Sequence, residues 1–388
     1  MTRFGWRVRN GKKAFCEGVD IAPPNPGIDV NVRSPISGRI VDQWLERTGG
    51  PSNAIRHRRC SAATVTRETL IEAAQMESDS VSTDPHDLLR QLGVDAATIR
   101  QVESLSVRHG HNVWRVVTDD KSYVLKWLPE EAARVEVAGS LLLRELGVPT
   151  VPIHGSTEQA LLLEDLANSG TWRLATPDDL TRPDVARAVA RWYRIFHDAG
   201  EALLATGQRV SFLAREEDNL SPDTILATGR SAGIAQSRPW DLAAEHIELL
   251  QAAVKALTPT LNYNDFYWTN LALAGGEDHA QEALVFDYHL LGVGLRYSDC
   301  RNVTASLSGA AIPAFWEAYG TLDSREETLV RPLATLYTLQ TASLMTQFPK
   351  WAESSRDRVV NGDLERDLVK AVELAHSLLG AARPLATG

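Results

Sequence analysis

Cysteine is scarce in this sequence: three in 388 residues, Cys16, Cys60 and Cys300, odd in number and far apart. That argues against a disulfide framework and makes a reducing cytoplasm the expected compartment. Long apolar runs are also missing. No unbroken stretch approaches the roughly 18 residues of a membrane helix, so no membrane partner is expected. The basic opening, MTRFGWRVRNGKK, is followed by no apolar stretch, and no secretory signal is expected. There is no internal repeat. What is present is 44% hydrophobic and 23% charged, which excludes a wholly disordered chain. The length suits about two domains and a sizeable core.

The formal charge of −10 hides an asymmetry. Residues 1–60 carry 11 basic and 5 acidic side chains, a net of +6; the remaining 29 basic and 45 acidic residues give −16. A basic head on an acidic body points to segments of different role. The acidic body disfavours nucleic acid as a partner and favours a cationic small molecule.

Residues 1–60 are rich in Gly and Pro, with short β-like runs at Ile28–Arg33 and Gly38–Gln43 and nothing of helical length. Residues 61–85 read as a linker, with one short helical stretch, Arg67–Met76, before the polar ESDSVSTDP. From about residue 86 the pattern is regular. A helical turn at Asp87–Leu92 ends at Gly93, and strands follow at Ile99–Ser106, Val113–Thr118 and Ser122–Leu128. Asp119-Asp120 turns the last two into a hairpin. PEEAARVEVAGSLLLRELGVP reads as a helix with Pro129 in its first turn, Glu130 and Glu131 at its positive end, and Gly147 and Pro149 as its stop. After a strand at Ala160–Glu164, helices dominate: Pro183–Ala199, Trp240–Leu257, Ala311–Tyr319, Leu329–Thr346 and Leu364–Ala382. The expected class is α+β: a small antiparallel sheet with one helix, then a mainly helical lobe.

The strongest chemical signal is LNYNDFYWTNLAL, residues 261–273. Asp265 and Asn270 lie five apart between short apolar runs, and ALVFDYHLLGVG places Asp287 at the end of a further apolar strand. An Asp, an Asn five later and an Asp on the next strand form a phosphoryl-transfer pattern. One carboxylate, Asp265, takes the proton of an attacking hydroxyl; Asn270 and Asp287 supply the hard oxygens that Mg²⁺ requires. Lys126, a lone lysine in the apolar strand YVLKWL, is the candidate phosphate grip. Glu136 on the following helix is its best-placed partner, ahead of Glu130, Glu131 and Glu145. The loop VRHGHN, residues 107–112, lies where a phosphate-covering loop would be, with Gly110 and Asn112 as nucleotide contacts. It has one glycine rather than three, and His109 and His111 read as solvated.

Residues 86–382 resemble the aminoglycoside phosphotransferase family, relatives of choline kinases with a protein-kinase-like two-lobe fold. The family's His-Gly-Asp-x-x-x-x-Asn is matched by Tyr263-Asn264-Asp265 through Asn270, and VFDYHLLGVGLRYSDCRNV looks like its metal-aspartate segment. The resemblance implies a small lobe at 86–168 and a helical lobe with the catalytic loop at 169–388. It also implies ATP held at a hinge, LLLEDL, through Glu164 and Leu166. Asp299 falls where the family keeps an aspartate that braces the catalytic loop, and RWYRIFHDAG, with His197, resembles a helix ending in a Leu-His pair. Tyr263 and Asn264 replace the usual His and Gly, so altered bracing of an active loop is expected. The implied activity is ATP- and Mg²⁺-dependent O-phosphorylation of an aminoglycoside or related cationic amino sugar, with Glu216, Glu217 and Asp218 as candidate acceptor carboxylates. Choline, a macrolide, a sugar or an amino acid is the alternative acceptor. A nucleotide-binding pseudokinase is the further alternative, against which the intact Lys126, Asp265, Asn270 and Asp287 argue.

The first 60 residues, in FGWRVRNGKKAFCEGVDIAPP and SPISGRIVDQW, look like the start of a lysostaphin-type zinc endopeptidase domain. Cys16 and Asp20 occupy the first ligand spacing, no His-x-His follows, and His57 is isolated. A non-catalytic appendage is therefore expected rather than a cell-wall peptidase.

Overall fold

The computed structural model describes residues 84–380, apart from 109–110, 131–133, 209, 232–237, 277–278 and 346. The N-terminal segment with Cys16, Asp20 and His57, the linker helix and Gly110 lie outside the described residues.

The first elements are helix α1 (Pro85–Gln91), strands β1 (Ile99–Arg108), β2 (His111–Thr118) and β3 (Ser122–Trp127), helix α2 (Arg134–Glu145), and strands β4 (Ile153–Ser156) and β5 (Ala160–Glu164). Asp84 caps α1 by accepting the His86 N–H at 2.9 Å. The five strands form one antiparallel sheet in the order β1-β2-β3-β5-β4. Asp119-Asp120 turns the β2–β3 hairpin as expected, with Thr118 N–H donating to Lys121 O at 2.9 Å. The strand period of two sorts the side chains. Trp114, Leu125, Trp127 and Leu162 bury against Leu88 and Leu89 of α1, while Val124, Lys126 and Leu163 face the other way, into a cleft.

Helix α2 starts later than Pro129 suggests. Leu128 N–H still pairs with Gln159 O at 2.7 Å, so the chain is extended up to the proline, and a residue before proline resists helical geometry. The far end is as expected. Gly147 adopts φ +74°, with Gly147 N–H donating to Arg144 O and Val148 N–H to Leu143 O, the paired bonds of a glycine-terminated helix.

The second lobe contains β6 (Trp172–Leu174), α3 (Pro183–Ala205), α4 (Pro222–Ser231), α5 (Arg238–Lys255), β7 (Thr260–Asn262), β8 (Leu271–Gly276), β9 (His279–Val285) and β10 (Gly292–Gly294). They are followed by α6 (Arg296–Ser306), α7 (Ala311–Tyr319), α8 (Ser324–Ser343), α9 (Glu353–Val360) and α10 (Asp363–Leu379). Small antiparallel sheets, β6-β8-β9 and β7-β10, carry the chain into and out of the catalytic segment. An aromatic core of Trp192, Tyr193, Phe196, Tyr263, Phe266, Phe315 and Tyr319 lies beneath it. A second core joins α5, α8 and α10 through Ile247, Leu250, Leu333, Leu336 and Leu368. The expected α+β, two-lobe architecture is borne out. Among the described residues no helix is long and apolar enough to cross a membrane.

One helix overruns its expected end for a reason that matters to the site. Helix α3 continues through Gly200, where a stop is expected, because β7 lies directly on that glycine. A Cβ there would sit 2.5 Å from the Leu261 backbone nitrogen and 2.7 Å from Thr260 Oγ1. Gly200→Ala should therefore lose about 1–3 kcal/mol to overpacking, although alanine is the better helix former. Thermal unfolding checks this, and an unchanged or raised melting temperature would refute the close approach.

Candidate active site

Asp265 and Asn270 stand on the loop between β7 and β8; Asp287 and His289 follow β9; Lys126 reaches in from β3 and Glu136 from α2. Lys126 Nζ donates to Glu136 Oε1 at 2.5 Å and to Asp287 Oδ1 at 3.3 Å, a contact between residues 161 positions apart. Asn270 Nδ2 donates to Asp265 Oδ2 at 2.9 Å and to the Asp265 carbonyl at 3.1 Å. This orients the amide so that its oxygen is turned away from the carboxylate. His289 Nδ1 lies 3.4 Å from Asp287 Oδ1, and ligand atoms of Asp265, Asp287 and His289 fall within 4.8 Å of one another.

The charges in this cluster settle one another. Burial works against the Lys126 ammonium, yet Asp287 and Glu136 raise it above the ordinary lysine range. Burial would neutralise Asp287 too, but Lys126 and His289 hold it well below the usual carboxylate range. Burial pushes Glu136 up to about 7 against the pull of Lys126. Of the two acids on that lysine, Asp287 is thus the firmly charged one. Burial lowers His289, but its bond to Asp287 and the surrounding carboxylates outweigh this and raise it to about 9. Asp265 is raised, by burial first and by Asp287, with His289 and Asn270 pulling the other way. A carboxylate raised in this manner is a better base than a free one.

The catalytic segment is pinned from behind. Asp299 on α6 is fully buried and accepts the Tyr263 N–H at 2.8 Å and the Asn264 N–H at 2.9 Å. His197 Nε2 is 3.2 Å from the same carboxylate, and His197 Nδ1 lies 2.7 Å from Tyr319 Oη. Tyr263 and Asn264 themselves hold the turn. Tyr263 Oη donates to Phe286 O at 2.5 Å, tying the loop to the strand before Asp287. Asn264 takes the left-handed backbone a glycine would, φ +68°, and its amide donates to Leu290 O at 3.2 Å. Asp287 also has positive φ, +72°, a costly conformation for a non-glycine residue, held by this framework.

A cavity of about 230 Å³ opens from this cluster between the lobes. Lys126, Glu136 and Asp287 form its charged end, and Val113, Val124, Ile153, Leu163, Leu166 and Phe286 its apolar walls. Glu164 also lines it, with its N–H engaged by Pro152 O at 3.0 Å. Asn112 lies at the base of the β1–β2 loop, next to Val113, with its Oδ1 buried and unpartnered among the described residues. The donor chemistry fits magnesium. The firmly charged Asp287 oxygens and the Asn270 oxygen, which accepts only a long bond from Thr269 Oγ1 at 3.4 Å, are hard ligands, whereas His289 is held as a counter-charge on Asp287.

Sequence reasoning missed His289, although its place two residues after Asp287 in DYH was readable as a same-side neighbour. It also left three acceptor carboxylates open. Glu217 is paired with Arg215 at 3.2 Å and Asp218 with Lys255 at 2.7 Å. Glu216 makes no ion pair among the described residues.

No family model matches the sequence, and no curated protein matches it. Several solved structures are similar. A choline/ethanolamine kinase family protein from Mesorhizobium loti shares 15% identity, over 74% of this chain and 99% of its own, with a TM-score of 0.49. The macrolide 2′-phosphotransferase of Brachybacterium faecium shares 18%, over 74% and 96%, at 0.43. A choline kinase from Streptococcus pneumoniae shares 12%, over 72% and 97%, at 0.46.

Proposed function

We propose that the chain is an ATP- and Mg²⁺-dependent phosphotransferase acting on a hydroxyl of a small, amine-bearing molecule. The observation that carries this is the convergence of Lys126, paired with Glu136, onto Asp287 at the charged end of the cleft, with Asp265 clustered beside Asp287 and Asn270 bonded to Asp265. The apolar cleft walls would take the purine, with the Glu164 carbonyl and Leu166 backbone reading its edge. Lys126 would bind phosphate oxygens. Asp287 and the Asn270 oxygen would hold magnesium, which supplies charge neutralisation of the phosphates when bound. Asp265 orients the acceptor hydroxyl and takes its proton, helped by its raised basicity. The remaining catalysis is positioning.

The acidic body, −16 over residues 61–388, supports an acceptor with at least one amine, as in aminoglycosides and other amino sugars. A transfer screen with labelled ATP across aminoglycosides, amino sugars, choline and macrolides tests this. Transfer should stop on chelation and return with Mg²⁺. Turnover that persists in chelator, or no labelled product with any acceptor, would refute the assignment.

A further inference from the structure

We infer that Asp165 is a positioning residue for the nucleotide: its carboxylate ties the sheet wall of the cleft to the turn whose backbone meets the purine. This rests on the phosphotransferase reading and adds a residue on which base recognition depends.

Asp165 stands between Glu164 and Leu166 and caps a single 3₁₀ turn, Leu166–Asn168. It is 2% exposed, and both of its oxygens are bonded. Oδ2 accepts Arg115 Nε at 2.6 Å, Ser122 Oγ at 2.7 Å and Asn168 Nδ2 at 2.6 Å; Oδ1 accepts the Ala167 N–H at 3.2 Å. Arg115 is on β2 and Ser122 on β3, while Ala167 and Asn168 belong to the turn. One carboxylate thus joins two strands of the small lobe to the segment that leaves β5. Burial works against its charge, but the bonds from Arg115, Ser122 and Asn168 hold it below the usual carboxylate range.

This node lies away from the phosphate chemistry but in the same cleft. Val113 is paired with Lys126 and Arg115 with Val124, so the Arg115 register is about 7 Å along the sheet from that of the lysine. Arg115, Asp165, Leu166 and Ala167 nevertheless line the cavity that Lys126 and Asp287 line. A flat base must fit between the sheet wall and the turn, and the carboxylate bonded to both sets that gap. Asparagine cannot take its place. Its amide offers one acceptor oxygen and one donor group, and whichever way it is turned the donor faces either three other donors or the Ala167 N–H.

The test titrates the full chain by calorimetry with three probes: Mg-ATP, adenosine, which has the base without the phosphates, and Mg-tripolyphosphate, which has the phosphates without the base. Asp165→Asn should weaken Mg-ATP and adenosine about tenfold, the scale of a hydrogen bond lost or left unmatched, and leave tripolyphosphate unchanged. Lys126→Ala should do the converse, weakening Mg-ATP and tripolyphosphate and sparing adenosine. Ser122→Ala removes one donor from Oδ2 and keeps the carboxylate. It should weaken adenosine by a smaller factor, and it decides the matter if Asp165→Asn fails to fold. An Asp165→Asn protein that weakens all three probes alike, or that changes only the melting temperature, overturns the inference and leaves the phosphotransferase reading standing. So does Ser122→Ala with wild-type affinity for adenosine where Asp165→Asn does not fold. A wild type that binds Mg-ATP no tighter than tripolyphosphate, and adenosine not at all, also counts against it. A chain that binds none of the three overturns both.

Discussion

Asp265→Asn should lower kcat by roughly 10²–10⁴-fold, the contribution of a positioned general base, with KM for ATP little changed. The substitution keeps the side chain's shape and one oxygen to receive the Asn270 amide, which now sits 2.9 Å from Asp265 Oδ2. Only the basic oxygen is lost. The pH profile separates this from a structural effect. In the wild type kcat should rise with pH as Asp265 ionises, and that limb should lie above the ordinary aspartate range, because burial and Asp287 raise the group. The asparagine variant should lack it. Stability should move the other way. A carboxyl whose pKa is raised on folding destabilises the native state most above its folded pKa, and not at all below its unfolded one. Near neutral pH the variant should therefore melt no lower than the wild type. A variant with near-wild-type turnover, or one that retains the acid limb, would remove Asp265 from the role of base.

How far the site could be read in advance depended on what each residue is held by. Asp265, Asn270 and Asp287 were legible because local spacing sets them between short apolar strands, and Lys126 because a charge stands out in an apolar strand. Glu136 needed only the turn of the helix after that strand. The framework behind them was less visible. The positive φ of Asn264 and Asp287 is imposed by Asp299, Leu290 and the neighbouring strand, contacts 23 to 36 positions apart that no local pattern encodes. Gly200 reads locally as a helix stop, and only the approach of β7 makes it a helical residue. Pro129 reads as a helix start, and only the pairing of Leu128 with Gln159 keeps the chain extended there. In each case a partner distant in sequence overrode a local preference. His289 became visible for the same reason, once its partner Asp287 was in place.

The second large effect concerns that hidden framework. Asp299→Ala would strip the acceptor from two backbone N–H groups, Tyr263 and Asn264, and from the His197 ring, all in a fully buried setting. Unmatched buried donors of this kind should cost about 3–5 kcal/mol, a fall in melting temperature of order 10 °C. Activity should fall further than stability predicts, because the same two N–H groups hold the turn that aims Asp265, and a shift of about 1 Å can cost about 10²-fold. His197 gives the independent check. Burial holds it below the usual histidine value, so it stays neutral, with one ring nitrogen donating and the other accepting. A histidine whose pKa is lowered on folding contributes fully above its unfolded value, about 6.5. That stability is lost as pH drops below this value. The wild type should thus lose stability on mild acidification, and His197→Gln should flatten that loss while leaving Asp299 bonded to the loop. If Asp299→Ala melted like the wild type, the loop would be held by something other than α6. If it lost stability but kept full turnover, the aim of Asp265 would not depend on this brace.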